Sequence, residues 1–190
     1  MANVKCEKCG TELIAGGPQK EYETRLLDSM QTKLLNCVLE MHCPEHPEVS
    51  FVSIPDLPGL VTAAAVARAM LPRKLSGADI RFMRKALKWP SKKLADKLQV
   101  TPEAVSRWEN GKSVIEPSSE KLLRMVVGFN LSEQASGVDF APEQIAAMRI
   151  ESMHDPEKPL IMEFFRTEIK LERNKPREKK WMPEQRAVNE

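Results

Sequence analysis

A chain of 190 residues, 42% apolar and 29% charged, has the composition of a folded globular protein, which excludes disordered and fibrous classes. No run approaches the roughly 20 uninterrupted apolar residues of a membrane span, and CEKCG stands near the N-terminus where a signal peptide would carry an apolar stretch, so the expected location is the cytoplasm. The net charge of +2 conceals an asymmetry: Pro72 to Gly128 holds about 13 Lys plus Arg against about 6 Asp plus Glu, leaving about 16 against 21 elsewhere. Charge alone does not separate a nucleic-acid site from a solvated helical surface, so the motifs within this basic island must decide.

Residues 1–55 hold two short knuckles flanking an extended stretch. Cys6-Glu7-Lys8-Cys9-Gly10 has the spacing at which two thiolates from one tight turn reach a single metal, and Cys43-Pro44-Glu45-His46 supplies a second pair. Four cysteines in a reducing compartment point to metal or inert burial rather than disulfides. The expected zinc ligands are therefore Cys6, Cys9, Cys43 and His46, with His42 or Cys37 as competitors for the fourth position. Between the knuckles, Leu35, Cys37, Leu39 and Met41 alternate at period two, which predicts a strand with these residues on its buried face. An Ala-, Val- and Leu-rich run from Pro58 to Met70, stopped before Pro72, predicts a linker helix within residues 56–75.

Residues 76–128 read as short helices with regular punctuation. Ser76 with Asp79 forms a capping box, Pro90-Ser91 opens a second helix, Thr101-Pro102 a third, which Gly111 closes, and Pro117-Ser118 a fourth. Within this bundle, the run Leu94-Ala95-Asp96-Lys97-Leu98-Gln99-Val100-Thr101-Pro102-Glu103-Ala104-Val105-Ser106-Arg107-Trp108-Glu109-Asn110-Gly111 resembles the Xre/phage-repressor type of helix-turn-helix. Ala95 is small where the following helix crosses, and Leu94, Leu98, Val100, Val105 and Trp108 face the core between the two helices. Gln99 departs from the family's usual Gly and must tolerate the geometry of the turn.

The resemblance implies that the helix opened by Thr101 enters the major groove of double-stranded DNA. Arg107 is then the principal base reader, since its guanidinium fork matches guanine O6 and N7; Glu103 suits a cytosine amino group and Ala104 a thymine methyl, with Pro102 beside them. Ser91, Lys92, Lys93, Thr101, Ser106 and Lys112 are expected at the phosphate backbone. Ser91 replaces the family's common Gln. Arg84 and Glu109 match positions that form a buried ion pair in related repressors.

Together with the knuckles, Ile54-Pro55, and Leu75 to Phe82 leading into the bundle, residues 1–128 resemble the MqsA/YgiT-like zinc-finger plus helix-turn-helix proteins, many of them antitoxins. That resemblance implies a dimeric, autoregulatory repressor on a palindromic operator, or alternatively an antitoxin whose zinc domain binds a partner toxin. Catalysis is not expected. His46-Pro47-Glu48 looks superficially like half of a deaminase motif, but no Pro-Cys-x-x-Cys follows it and four protein ligands leave the metal no open position.

The expected architecture is thus α+β: an N-terminal zinc ribbon with short β-strands over 1–55, an all-α helix-turn-helix domain over 76–128, and a mixed C-terminal extension over 129–171 that contributes to the dimer. Within the extension, Ala141 to Ile150 reads as a helix. Leu160 to Leu171 reads as a strand with Ile161, Phe165, Thr167, Ile169 and Leu171 in phase, whose apolar surface calls for a partner, such as the same strand of a second subunit. Residues 172–190, Trp181 apart, read as a charged mobile tail.

Overall fold

The computed structural model describes residues 4–27, 29–135, 137–151, 160–169 and 178–184. Three strands, β1 (Ile14–Leu26), β2 (Met30–His42) and β3 (Ser50–Ser53), precede six helices: α1 (Leu57–Met70), α2 (Gly77–Ala86), α3 (Ser91–Leu98), α4 (Pro102–Glu109), α5 (Pro117–Leu131) and α6 (Pro142–Ala147). Two strands follow, β4 (Met162–Ile169) and β5 (Glu178–Pro183). All five strands join one sheet of order β1-β2-β4-β5, with β3 paired to β2 beyond the point where β4 leaves it.

The sheet therefore combines strands from before and after the helical segment, and this changes three expectations. First, β1 and β2 are 13-residue strands rather than short ones. Second, the sheet is not confined to residues 1–55, because β4 lies parallel to β2, with Thr32 to Leu35 opposite Met162 to Phe165, and antiparallel to β5. The partner expected from a second subunit is thus found within the chain. Third, part of the expected mobile tail is β5, where Trp181 is buried, donates its indole N–H to Asp56 O at 3.0 Å and stacks with the Arg166 guanidinium.

Both strand phases are the reverse of those expected. Met30, Thr32, Leu34 and Val38 are the buried residues of β2, whereas Leu35, Cys37, Leu39 and Met41 are half-buried. Leu34 and Leu35 make both phases apolar, and an extra residue at Asn36, where φ is +51°, interrupts the alternation. In β4, Met162 and Phe164 face the core while Ile161 is exposed and Phe165 half-buried. Leu171 and the side chain of Ile169 lie outside the described residues.

Helix α1, expected as a linker, is a core element. It is apolar around most of its circumference, with Leu60, Ala63, Ala64, Ala65, Val66, Ala67 and Ala69 all buried, and it packs against α5, α2 and β5. Its alanines permit close approach, and its C-terminal carbonyls are met by a buried cation. The fully buried Arg124 of α5 donates to Ala69 O at 2.9 Å and Arg73 O at 2.7 Å, also to Arg68 O and Leu71 O, and pairs with Glu120 Oε1 at 2.7 Å. Glu120 in turn accepts from the backbone N–H of Leu75 and pairs with Lys74.

Arg68, also buried, forks onto Asp79 at 3.1 and 3.0 Å, so the capping residue of α2 doubles as the counter-ion of α1. Burial by itself would raise the Asp79 carboxyl; the Arg68 charge, with hydrogen bonds from Arg68 and Ser76, outweighs it and holds the group below the usual carboxylate range. The network ties α1, α2 and α5 into one body.

Removing one partner of such a pair strands the other without solvent. Arg124→Met is expected to destabilise the protein by about 3–5 kcal/mol, read from urea unfolding. A loss below about 1 kcal/mol would show that the network is dispensable.

Candidate nucleic-acid interface and candidate metal centre

The turn between α3 and α4 is made by Gln99 in the left-handed region, φ 56° and ψ 43°. The strain of a β-carbon there, on the order of 1 kcal/mol, is offset by the bond from Val100 N–H to Ala95 O at 3.0 Å, which satisfies a terminal carbonyl of α3. Thr101 then caps α4, its hydroxyl accepting from Ala104 N–H at 3.2 Å, and Pro102 occupies the first helical position. These two devices fix the rotation of α4. Val105 and Trp108 turn inward with Leu94, Ala95 and Leu98, while Pro102, Glu103, Ser106 and Arg107 are exposed and Ala104 is half-buried.

The far end of α4 is held by two arginines of α2. Arg84 clasps the buried Glu109 with Nε on Oε1 at 2.5 Å and Nη2 on Oε2 at 2.9 Å, and reaches Trp89 O with its remaining nitrogen. Hydrogen bonding to Glu109 pushes the Arg84 guanidinium above even its ordinary range. Arg81 donates to Glu109 O at 3.0 Å and Asn110 Oδ1 at 2.8 Å, and Asn110 donates to Ser106 O at 2.8 Å. Arg81 and Asn110 were not evident from sequence, since a basic residue on an amphipathic helix and an Asn at a helix end carry no spacing signal of their own. Gly77 completes the contact, because a β-carbon there would lie 2.5 Å from Trp108 O.

Around α4, Lys92 and Lys112 are exposed and form no ion pair among the described residues, while Ser91 is half-buried at the first turn of α3. Lys93 lies over the Trp89 ring at 4.5 Å, which fixes its stem beside the start of α3. All ten expected DNA-facing residues thus lie on or next to the α3-turn-α4 unit.

The metal candidates converge at the opposite end of the long hairpin. Gly10, at φ 73°, lets the first knuckle fold back so that Gly10 N–H meets Cys6 O and Cys6 N–H meets Thr11 O, each at 2.8 Å. The second knuckle is closed by Cys43 N–H to Val49 O and Val49 N–H to His46 O. One ligand atom from each of Cys6, Cys9, Cys43 and His46 lies within 4.8 Å of the others. Cys9 Sγ is 3.6 Å from Cys43 Sγ, and His46 Nδ1 is 3.9 Å from both Cys6 Sγ and Cys43 Sγ.

The edges of a tetrahedron built on metal–sulfur bonds of about 2.3 Å are about 3.8 Å, so the set fits a four-coordinate metal ion. His42 and Cys37 are not in the group. Hydrogen bonds to Thr11 lower the exposed Cys9 thiol to about 6, whereas burial raises that of Cys43, which would lose its proton on binding metal. Lys8 and Glu48, 2.7 Å apart, bridge the two knuckles on the solvent side.

Among the described residues, only Leu13 joins Cys6 and Cys43 in the buried cluster here, with Met41, Val49 and Phe51 against it. The other end of the hairpin, about 40 Å along the strands, belongs to the main core through Leu26 and Met30 and to α2 through Lys85 Nζ on Leu27 O at 3.1 Å.

Residues 80–135 match the family model described as Helix-turn-helix, and no curated protein or solved structure matches the chain. The fold and this match identify residues 80–135 as a helix-turn-helix domain, which suggests a DNA-binding transcription regulator, and the same chain carries a mixed sheet with a Cys3His group at its end. No helix among the described residues is long and apolar enough to cross a membrane.

With so small an apolar cluster, the knuckles are expected to draw their stability from a bound metal ion. Titration with Co2+ is expected to saturate at one equivalent per chain with thiolate charge-transfer absorption. Chelation should then expose residues 4–13 and 43–49 to protease while the helical bundle keeps its melting temperature. Saturation without the thiolate band, or loss of the bundle on chelation, would contradict this assignment.

Proposed function

We propose that this protein is a sequence-specific transcriptional repressor that binds the DNA upstream of its own operon, two copies on two half-sites about one helical turn apart. The observation that carries the reading is the exposed, rigidly held outer face of α4, with Glu103, Ser106 and Arg107 at helical spacing and basic side chains on both flanks. A module of this size buries too little surface for high affinity alone, which favours paired binding to a palindromic operator. Occupancy of the promoter then excludes polymerase.

In this reading Arg107 forks onto guanine, Glu103 accepts from cytosine, and Ala104 with Pro102 contacts apolar base edges. Ser91, Lys92, Lys93 and Lys112 hold phosphates, joined by the hydroxyls of Ser106 and of Thr101, which keeps its proton to donate while it caps α4. Zinc is the metal whose preferred coordination best suits three sulfurs and one imidazole in a closed tetrahedral site, and its part is structural: it secures the free end of the sheet.

The test is binding to the duplex directly upstream of the protein's own coding sequence. Arg107→Ala should weaken it by about 1–3 kcal/mol and relax preference at one base pair per half-site. Lys112→Ala should weaken all sequences equally and reduce the salt slope by about one. An Arg107→Ala protein with wild-type affinity and base preference would remove α4 from the major groove.

A further inference from the structure

Ser106 stands between Glu103 and Arg107 on the exposed face of α4 and, unlike Thr101, caps nothing. A serine inside a helix can turn its hydroxyl hydrogen back onto the carbonyl four residues earlier, here Pro102 O, and so withdraw its donor from the surface. Among the described residues neither that carbonyl nor any other acceptor takes it. The Ser106 oxygen is met by a donor instead: Asn110 Nδ2 lies 2.8 Å from Ser106 O and 3.4 Å from Ser106 Oγ.

Arg81 sets the direction of that contact. An asparagine amide presents an acceptor at one end and a donor group at the other, and its neighbours decide which end faces which way. Arg81 has donors only, and its Nη2 lies 2.8 Å from the Asn110 amide, so the end it meets is Oδ1. The same nitrogen donates to Glu109 O at 3.0 Å, and Arg81 Nε lies 3.9 Å from the Glu109 carboxylate, so the guanidinium is held without help from Asn110. With Oδ1 taken by a cation, the amide NH2 faces Ser106 and can only donate to it. The hydroxyl hydrogen is excluded from that side and is left for an acceptor outside α4.

Every donor in the chain thus points one way, from guanidinium to amide and from amide to hydroxyl. A carbonyl that accepts from a cation makes its own N–H groups stronger donors, and a hydroxyl that accepts becomes a stronger donor in turn. We propose that Arg81 and Asn110 are positioning residues that hold Ser106 as an outward donor to a phosphate oxygen of the bound duplex, an acceptor that cannot donate back. Neither positioning residue touches DNA. The phosphate contact rests on the function proposed above, whereas the orientation of the hydroxyl does not.

The test is a double-mutant cycle on the upstream duplex, with the full metal-loaded chain and two substitutions that leave the net charge unchanged. Ser106→Ala should weaken binding about tenfold and Asn110→Ala about threefold, both with the wild-type melting temperature. The double variant should bind no more weakly than Ser106→Ala alone, because Asn110 acts only through the hydroxyl. Without DNA, the two side-chain amide protons of Asn110, followed by NMR, should converge in Arg81→Met toward the shifts of a solvent-exposed amide.

Losses that multiply in the double variant, to about thirtyfold, would overturn the proposal by giving Asn110 an effect of its own on the duplex or the fold. Asn110 signals unmoved by Arg81→Met would overturn the part assigned to Arg81. If no protein of the set binds the upstream duplex while the NMR difference persists, the repressor reading fails and the oriented hydroxyl stands.

Discussion

Arg124 is the residue on which the packing of the helices against one another depends. A guanidinium without solvent contact is tolerated only where its donors are met, and here they are met by the carboxylate of Glu120 and by carbonyls at the end of α1 and in the loop that follows it. Those carbonyls are the negative end of the α1 dipole, so the placement satisfies charge and hydrogen bonding together. Because Arg68 leaves the same turn of α1 to clasp Asp79, the start of α2 is fixed by the same few ångströms of structure. Buried ion networks add little net stability against an apolar alternative, but they penalise any other arrangement of the helices heavily. Here the arrangement so specified sets where α4 stands.

From that centre the order of the structure falls off in a definite direction. The α1 alanines, Leu34, Val38, Phe164 and Trp181 form a dense core between helices and sheet, and the hairpin tip at Leu26 and Met30 joins it. At the other end of β1 and β2 the apolar residues run out, and the Cys3His group stands there with a minimal apolar cluster. The candidate metal group and the buried ion network thus stand apart, the first at the far end of the hairpin and the second among α1, α2 and α5.

What the sequence disclosed was whatever is written locally. Ser76 and Thr101 marked helix starts because their side chains accept from first-turn N–H groups, Pro90 and Pro117 because proline's fixed φ suits a helix start and it brings no N–H of its own to be left unpaired, and the knuckles announced themselves by ligand spacing. The strand phases were misread where Leu34 and Leu35 offered both faces and where Asn36 inserted an extra residue. The parallel pairing of β2 with β4 joins residues more than a hundred positions apart, and no local pattern encodes it. Arg68, Glu120 and Arg124 look in sequence like solvated helix charges; only the tertiary contacts reveal them as the buried centre. At the interface, exposure of the outer α4 face was predictable from Val105 and Trp108 facing inward, whereas the bracing by Arg81 and Asn110 was not.

The central claim is that DNA meets the α3-turn-α4 unit and not the metal-bearing end of the sheet. Backbone amide shifts of the full metal-loaded chain, followed by NMR as the upstream duplex is added, test it directly. The largest changes should fall at residues 91–93, 101–107 and 112, with Cys6 to Gly10 and Cys43 to His46 unmoved. Shifts concentrated at the knuckles, with α4 silent, would contradict the account.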